Sequence, residues 1–97
     1  MYLTSVRHRV KDFAIWKKAF DANVPMLEKN GVLGTWIVQK DDDPLDVTII
    51  NTWPARKNWD DFIASHNFTG PEDIKRHQEK GGAIGEPEFV GGEVVDS

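Results

Sequence analysis

Residues 46–66 read DVTIINTWPARKNWDDFIASH, and this stretch decides the fold. Its first half alternates between two faces as a β-strand does, and one of these faces carries Val47, Ile49, Asn51 and Trp53. Pro54 has a fixed φ and no backbone N–H, so it ends the strand and can open a helix. The side chains that follow recur at helical spacing on one side: Ala55, Trp59, Phe62, Ile63 and His66. The sequence therefore predicts a strand followed at once by an amphipathic helix.

Size and composition predict one small domain spanning residues 1–97. The net charge of −4 argues against a nucleic-acid surface, which needs clustered positive charge. The absence of cysteine excludes disulfides, thiolate chemistry and cysteine-ligated zinc. We find no signal-peptide pattern and no run approaching the ~20 apolar residues of a membrane span. We therefore expect a cytoplasmic protein without membrane or nucleic-acid partners.

Upstream of the deciding stretch, the sequence predicts a strand and a helix. Residues 2–10 alternate as a strand that carries His8 on one face with Val6 and Val10. Asp12 is suited to cap the next helix, because its side chain can accept a hydrogen bond from the first turn. An apolar stripe follows at helical spacing: Phe13, Trp16, Phe20, Val24 and Leu27.

The remaining elements are predicted from turn residues and alternation. Asn30-Gly31 ends the first helix, and residues 32–40 form a second strand. The polar residues 41–45 form the turn of a hairpin. A short helix at 72–80 and a last strand at 87–95 follow, with Gly91-Gly92 predicting a bulge or a close backbone approach.

The predicted order is β-α-β-β-α-β, with a short helix before the last strand. This is the α+β, ferredoxin-like pattern of an antiparallel sheet covered by helices on one face. The second face of the sheet also carries apolar residues such as Ile50, whereas a solvent-exposed face should be polar. We expect a partner subunit to cover it.

Three segments resemble the antibiotic-biosynthesis-monooxygenase-like proteins, which are small dimeric α+β barrels. The segments are residues 6–21, VRHRVKDFAIWKKAFD; residues 49–62, with the Trp-Pro break and a W-x-x-F helix; and residues 81–89, GGAIGEPEF. The resemblance implies a homodimer whose two sheets close into one barrel, with a pocket in each subunit between sheet and helices. Cofactor-free oxygenases, haem-degrading enzymes and polyketide cyclases share this scaffold.

The resemblance favours the haem-degrading branch less than the others. That branch uses an Asn on the first strand, a Trp on the second helix and a later His. Here the first strand carries His8, the helix position corresponds to Phe62, and His77 follows an apparent insertion at 67–71.

Asn51 is the residue most difficult to explain by structure alone. It falls on an otherwise apolar strand face, where an amide without a partner would cost a few kcal/mol. Asn51 can hold a carbonyl or phenolate oxygen of a ligand, or it can bond a backbone group at the helix junction. His66 and His8 are candidate general bases, with His77 as a third.

The aromatic residues have two interpretations, as core or interface residues or as the lining of a site for a flat ligand. The candidate ligand-binding residues are Trp16, Trp36, Trp53, Trp59 and Phe62. The three adjacent aspartates at 41–43 match no calcium-loop pattern, so no metal site is predicted.

Two functions are therefore expected. The first is a monooxygenase-like protein that acts without cofactor, metal or flavin on a flat aromatic or polyketide-like compound. His66 or His8 would serve as base, and Asn51 with a Trp N–H would hold the developing oxyanion. The second is a non-catalytic binding or interaction protein with the same dimer and pocket, so the sequence leaves open whether this is an enzyme.

Overall fold

The computed structural model describes residues 1–66 and 83–95, and in residues 65–66 and 83–87 it describes the backbone alone. The elements in these ranges are β1 Tyr2–Val10, α1 Phe13–Lys29, β2 Gly34–Lys40, β3 Asp43–Trp53, α2 Arg56–His66 and β4 Ala83–Glu93. The strands form an antiparallel sheet in the order β2-β3-β1-β4. The predicted α+β, ferredoxin-like β-α-β-β-α-β fold is confirmed. The predicted short helix at 72–80 lies outside the described residues.

Helix α1 begins and ends where the sequence predicts. The side chain of Asp12 accepts a hydrogen bond from the Ile15 N–H at 3.1 Å, which satisfies a donor of the first turn. At the other end, the Asn30 side-chain Nδ2 donates to the Met26 carbonyl at 2.8 Å. Gly31 has a φ of +91°, and its N–H donates to the Glu28 carbonyl at 3.0 Å.

Three strands differ from their predicted bounds. Strand β2 begins at Gly34 rather than at residue 32. Strand β3 begins at Asp43 rather than after the predicted loop at 41–45, because the backbone turns within Asp41-Asp42. Strand β4 begins at Ala83 and ends at Glu93, instead of spanning 87–95. The β1–β4 register shifts between Arg7 and Arg9, whose partners are Glu88 and Ile84, so the irregularity does not fall at the predicted glycines.

Gly91 nevertheless marks a close approach. A Cβ at this position would lie 2.4 Å from the Tyr2 hydroxyl oxygen, whereas a Cβ on Gly92 would meet nothing within 4 Å. Tyr2 is buried on the adjacent strand β1, so its ring lies against the bare backbone of β4.

The helices cover one face of the sheet, which we call the helix side. Its buried side chains form two clusters. The Trp53 cluster comprises Tyr2, Leu27, Trp53 and Phe62. The Trp16 cluster comprises Val10, Trp16, Val47 and Ile49. Phe20 of α1 packs against both clusters, so the first helix spans the whole core.

The opposite face, which we call the open side, is apolar in one part and charged in another. Trp36, Val38 and Val90 lie there with large exposed areas. Towards the end of β1, Arg7 donates from Nε and Nη2 to the two carboxylate oxygens of Asp46, at 3.0 and 2.7 Å. This hydrogen-bonded pair lowers the pKa of Asp46 and raises that of Arg7.

Candidate functional site

A short row of polar side chains crosses the helix side of the sheet. Asn51 of β3 pairs with Thr35 of β2 on one side and with Thr4 of β1 on the other. We call these three residues the polar row. Along β3, the row separates Ile49 of the Trp16 cluster from Trp53 of the Trp53 cluster. The sheet thus places a line of hydroxyl and amide groups between two aromatic-rich clusters.

Asn51 is held by a side chain and not by the helix junction. Only 4% of the residue is exposed, and its Oδ1 accepts a hydrogen bond from the Thr35 hydroxyl at 2.8 Å. The bond satisfies the amide oxygen and so offsets part of the cost of burying the group. The sequence also allowed Asn51 to bond a backbone group at the helix junction, but its side-chain oxygen bonds Thr35 instead.

Thr4 performs a different task at the other end of the polar row. Its Oγ1 accepts a hydrogen bond from the Trp53 indole Nε1 at 3.0 Å, and both residues are buried. The Trp53 N–H is therefore engaged within the core. The other tryptophans on the helix side are Trp16 and Trp59, so the expected tryptophan N–H donor to an oxyanion would have to come from one of these two.

Four of the five predicted ligand-binding aromatics lie on the helix side. Trp53, Trp59 and Phe62 form one group, with ring centroids between 5.6 and 6.1 Å apart. Trp16 lies in the other cluster, where its ring stacks on Phe20 at 5.3 Å. Phe62, Trp16 and Trp53 are buried, whereas Trp59 is half-buried.

Trp36 is not brought together with the other four. It pairs with Ile50 on the open side and is 54% exposed. Its ring lies so close to Gly34 that a Cβ there would be 2.7 Å from it. Alternation along β2 assigned Trp36 and Thr35 to opposite faces, which is what is observed.

Of the three histidine candidates, His8 is the one whose side chain the structure describes, and it lies apart from Asn51 along the sheet. His8 is on the helix side, half-buried, with its ring edge-on to Trp16 at a centroid distance of 5.5 Å. It lies four positions along β1 from Thr4, the partner of Asn51, which corresponds to about 13 Å of strand. His66 is the last residue of α2, but its side chain is outside the described part, and His77 is outside it entirely.

Two residues that sequence reasoning did not single out belong to this region. Thr35 donates a hydrogen bond to Asn51. The sequence indicated this through alternation, which places Thr35 on the same face of β2 as Ile37 and opposite Asn51 in the hairpin. Phe89 of β4, 43% exposed, contacts Trp59 at a centroid distance of 6.0 Å. Alternation along the last strand is the sequence feature that would place Phe89 on the helix side.

Within residues 1–66 and 83–95, no group of three or more His, Cys, Asp or Glu side chains is arranged to hold a metal ion. Across the same residues, no helix combines the length and apolar character that crossing a membrane requires.

No protein-family model matches the sequence, and no curated protein is significantly similar to it. Solved structures do match. An antibiotic biosynthesis monooxygenase superposes with a TM-score of 0.73 at 17% identity, over 99% of this chain and 100% of that one. SnoaB, a cofactor-independent oxygenase from Streptomyces nogalater, superposes with a TM-score of 0.73 at 10% identity, over 99% and 94%.

Two further structures widen the range of what this fold carries. A variant of MhuD with two manganese protoporphyrin IX molecules per active site has a TM-score of 0.71 at 17% identity, over 100% and 97% of the two chains. A dimeric ferredoxin-like protein from an uncultured marine organism has a TM-score of 0.64 at 10% identity, over 100% and 95%. At these identities the likeness defines the fold. The described residues have the ferredoxin-like fold of the antibiotic biosynthesis monooxygenase structures.

Proposed function

We propose that this protein binds a flat aromatic or polyketide-like compound between the sheet and the helices and oxygenates it without a cofactor. The observation that carries the proposal is Asn51, a buried amide that lies between the Trp53 and Trp16 clusters along β3, with its oxygen bonded to Thr35. Solved structures of the same fold include a cofactor-independent oxygenase, which gives the chemistry a precedent on this scaffold.

The reaction we propose consumes dioxygen as the oxidant. A methylene group activated by a conjugated carbonyl is deprotonated, and Asn51 donates a hydrogen bond to the carbonyl oxygen, on which negative charge develops. The carbanion is oxidised by dioxygen, and one oxygen atom becomes the new carbonyl oxygen. The other oxygen atom leaves as water, together with both hydrogens of the methylene group. Methylene compound and dioxygen, in equal amounts, thus give ketone and water in equal amounts.

His8 and His66 are the bases we propose for the proton transfer. Because His8 lies about 13 Å along the sheet from the Asn51 position, the two residues cannot contact the same atom. A multi-ring compound lying along β1 and β3 would contact both, with its acidic group near the histidine and its conjugated carbonyl near Asn51. This geometry favours an extended, conjugated substrate over a single ring.

Oxygen uptake with anthrone tests the proposal. Anthrone has an activated methylene and is converted to anthraquinone by the balanced reaction above. We expect the protein to accelerate uptake over a protein-free baseline and Asn51→Ala to lower the rate about 100-fold. Asn23→Ala, which changes an exposed amide of α1, should leave the rate unchanged. No acceleration at any protein concentration would refute the oxygenase.

A second candidate is a non-catalytic binding protein of the same fold. The burial of Trp16 and Trp53, and the engagement of the Trp53 N–H by Thr4, favour it, because these rings then serve the core. Saturable quenching of tryptophan fluorescence by anthraquinone, without oxygen uptake from anthrone, would support this candidate over the enzyme.

We also propose that the protein is a homodimer formed through the open side. An exposed face that presents Trp36, Val38 and Val90 is typical of an interface. Sedimentation velocity tests this. Trp36→Lys should produce a monomer, whereas Ile15→Lys, at an equally exposed apolar residue of α1, should remain dimeric. A monomeric wild-type protein at micromolar concentration would contradict the proposal.

A further inference from the structure

The Asn51 amide can face a ligand with either of two chemically opposite ends. Its oxygen only accepts hydrogen bonds, and its amino group only donates them. A rotation of the planar group by 180° exchanges the two ends without changing its shape. Whatever fixes the rotation therefore decides which ligand atoms Asn51 can match.

A threonine hydroxyl can donate or accept, and the direction in which Thr35 bonds Asn51 sets that rotation. Thr35 lies directly opposite Asn51 in the β2–β3 ladder, and its hydroxyl donates to Asn51 Oδ1 at 2.8 Å. Because the oxygen and the nitrogen are on opposite edges of the same planar group, an oxygen turned towards β2 directs the amino group away from β2. That direction is towards β1, beneath the helices.

Thr4, the neighbour on the β1 side, does not reverse this arrangement. Its Oγ1 accepts a hydrogen bond from the Trp53 indole at 3.0 Å, and although a hydroxyl that accepts can also donate, no hydrogen bond joins Thr4 to Asn51. The polar row therefore has one hydroxyl assigned to the Asn51 oxygen and the other to the Trp53 N–H. With its oxygen bonded to Thr35, the Asn51 amide has its amino group as the end that faces away from β2.

We propose that Thr35 is a positioning residue, which makes the site select ligands that present an acceptor oxygen, a carbonyl or a phenolate, to Asn51. The proposal rests on the proposed function, because it assumes that a ligand reaches Asn51. Thr35 itself does not touch the ligand. It acts through the rotation of the amide that does.

Ligand binding provides the first test. The probes are 1,4-naphthoquinone, which has acceptor oxygens, and naphthalene, which has the same rings without them. Fluorescence quenching is measured in a Trp36→Phe background, so that tryptophans on the helix side give the signal. The chain has no cysteine to form adducts with the quinone. We expect Thr35→Val to weaken naphthoquinone binding about fivefold to tenfold and to leave naphthalene binding unchanged.

Two further variants complete this test. Thr35→Ser keeps the hydroxyl and should restore wild-type binding of the quinone. Thr48→Val makes the same chemical change on the open side of β3 and should have no effect. Quinone binding that is lost in Asn51→Ala but unchanged in Thr35→Val overturns the inference and leaves the proposed function standing. A wild-type preference for 1-aminonaphthalene over the quinone also overturns the inference.

A second measurement does not depend on any ligand. In a ¹H–¹⁵N spectrum, the Asn51 side-chain amide proton pair, assigned by its loss in Asn51→Asp, should shift in Thr35→Val and return in Thr35→Ser. An unshifted pair refutes positioning by Thr35 whatever the binding data show. If the amide proton pair shifts in Thr35→Val but the wild-type protein binds neither probe, the hydrogen bond between Thr35 and Asn51 is confirmed. Ligand selection and the proposed function are then both refuted.

Discussion

The indole N–H of Trp53 donates to the Thr4 hydroxyl oxygen at 3.0 Å, and Trp53 has no exposed surface. The bond joins adjacent strands β3 and β1 beneath the helices. Trp53 is the largest fully buried side chain among the described residues, and its indole N–H has the Thr4 hydroxyl as its hydrogen-bond acceptor.

We predict that Thr4→Val destabilises the protein by about 1–3 kcal/mol, because it leaves the buried Trp53 N–H without an acceptor. Trp53→Phe removes the donor. Once Trp53 is Phe, Thr4→Val should cost about 1 kcal/mol less than in the wild type. Urea unfolding of the two single variants and the double variant measures this coupling. Strict additivity would show that the hydrogen bond contributes nothing.

Gly91→Ala should destabilise the fold, because its Cβ would lie 2.4 Å from the Tyr2 hydroxyl and 3.1 Å from the ring carbon that bears it. Tyr2 is buried, so the ring cannot swing away freely, and we expect a cost of about 1–3 kcal/mol. The matched control is Gly92→Ala, which meets nothing within 4 Å. Equal thermal midpoints for the two variants would contradict this packing.

Asp46 gives the stability a defined dependence on pH. Its hydrogen bonds from Arg7 lower its pKa in the folded protein, so the folded state favours the ionised carboxylate more than the unfolded chain does. The contribution is present above the unfolded pKa, near 3.8, and is lost as the pH falls through the lower folded pKa. The difference in unfolding free energy between wild type and Asp46→Asn should therefore shrink below that pH. A difference that is constant from pH 7 to pH 2 would refute the linkage.

Asp12→Ala should cost about 0.5–2 kcal/mol, because it removes the acceptor for the Ile15 N–H at the start of α1. Asp21→Ala is the control, since its ion pair with Lys17 is exposed on the same helix. Chemical denaturation of both variants, compared at the same ionic strength, distinguishes the cap from a general effect of lost negative charge.

The face of Asn51 was predictable from sequence, but its hydrogen bond was not. Alternation through Ile49 and Trp53 places the amide on the helix side, as observed. Its pairing with Thr35 also follows from the predicted turn, since a five-residue loop at 41–45 sets Lys40 opposite Asp46 and, counting back, Thr35 opposite Asn51. Periodicity does not indicate which of two facing side chains donates, so only the structure identifies the hydrogen bond.

The turn itself shows why boundaries were harder to predict than register. Lys40 pairs with Asp43, and the next pair along is Gln39 with Val47. Residues 44–46 therefore have no counterpart on β2, and the chain accommodates them as an irregularity in β3. Pro44 lacks an N–H and suits such a position, but the sequence reads equally well as a longer loop.

The end of α1 also has a consequence for the chemical lifetime of the protein. Asn30-Gly31 is a dipeptide of the kind that loses ammonia when the glycine nitrogen attacks the asparagine side-chain carbonyl carbon, giving a succinimide and then aspartate or isoaspartate. Here the Asn30 side chain is bonded to Met26, and the attacking nitrogen of Gly31 is bonded to Glu28. These two hydrogen bonds keep the Gly31 nitrogen from attacking the Asn30 side chain while the helix cap is intact. The rate at which this asparagine ages in storage will therefore report how often the last turn of the helix opens.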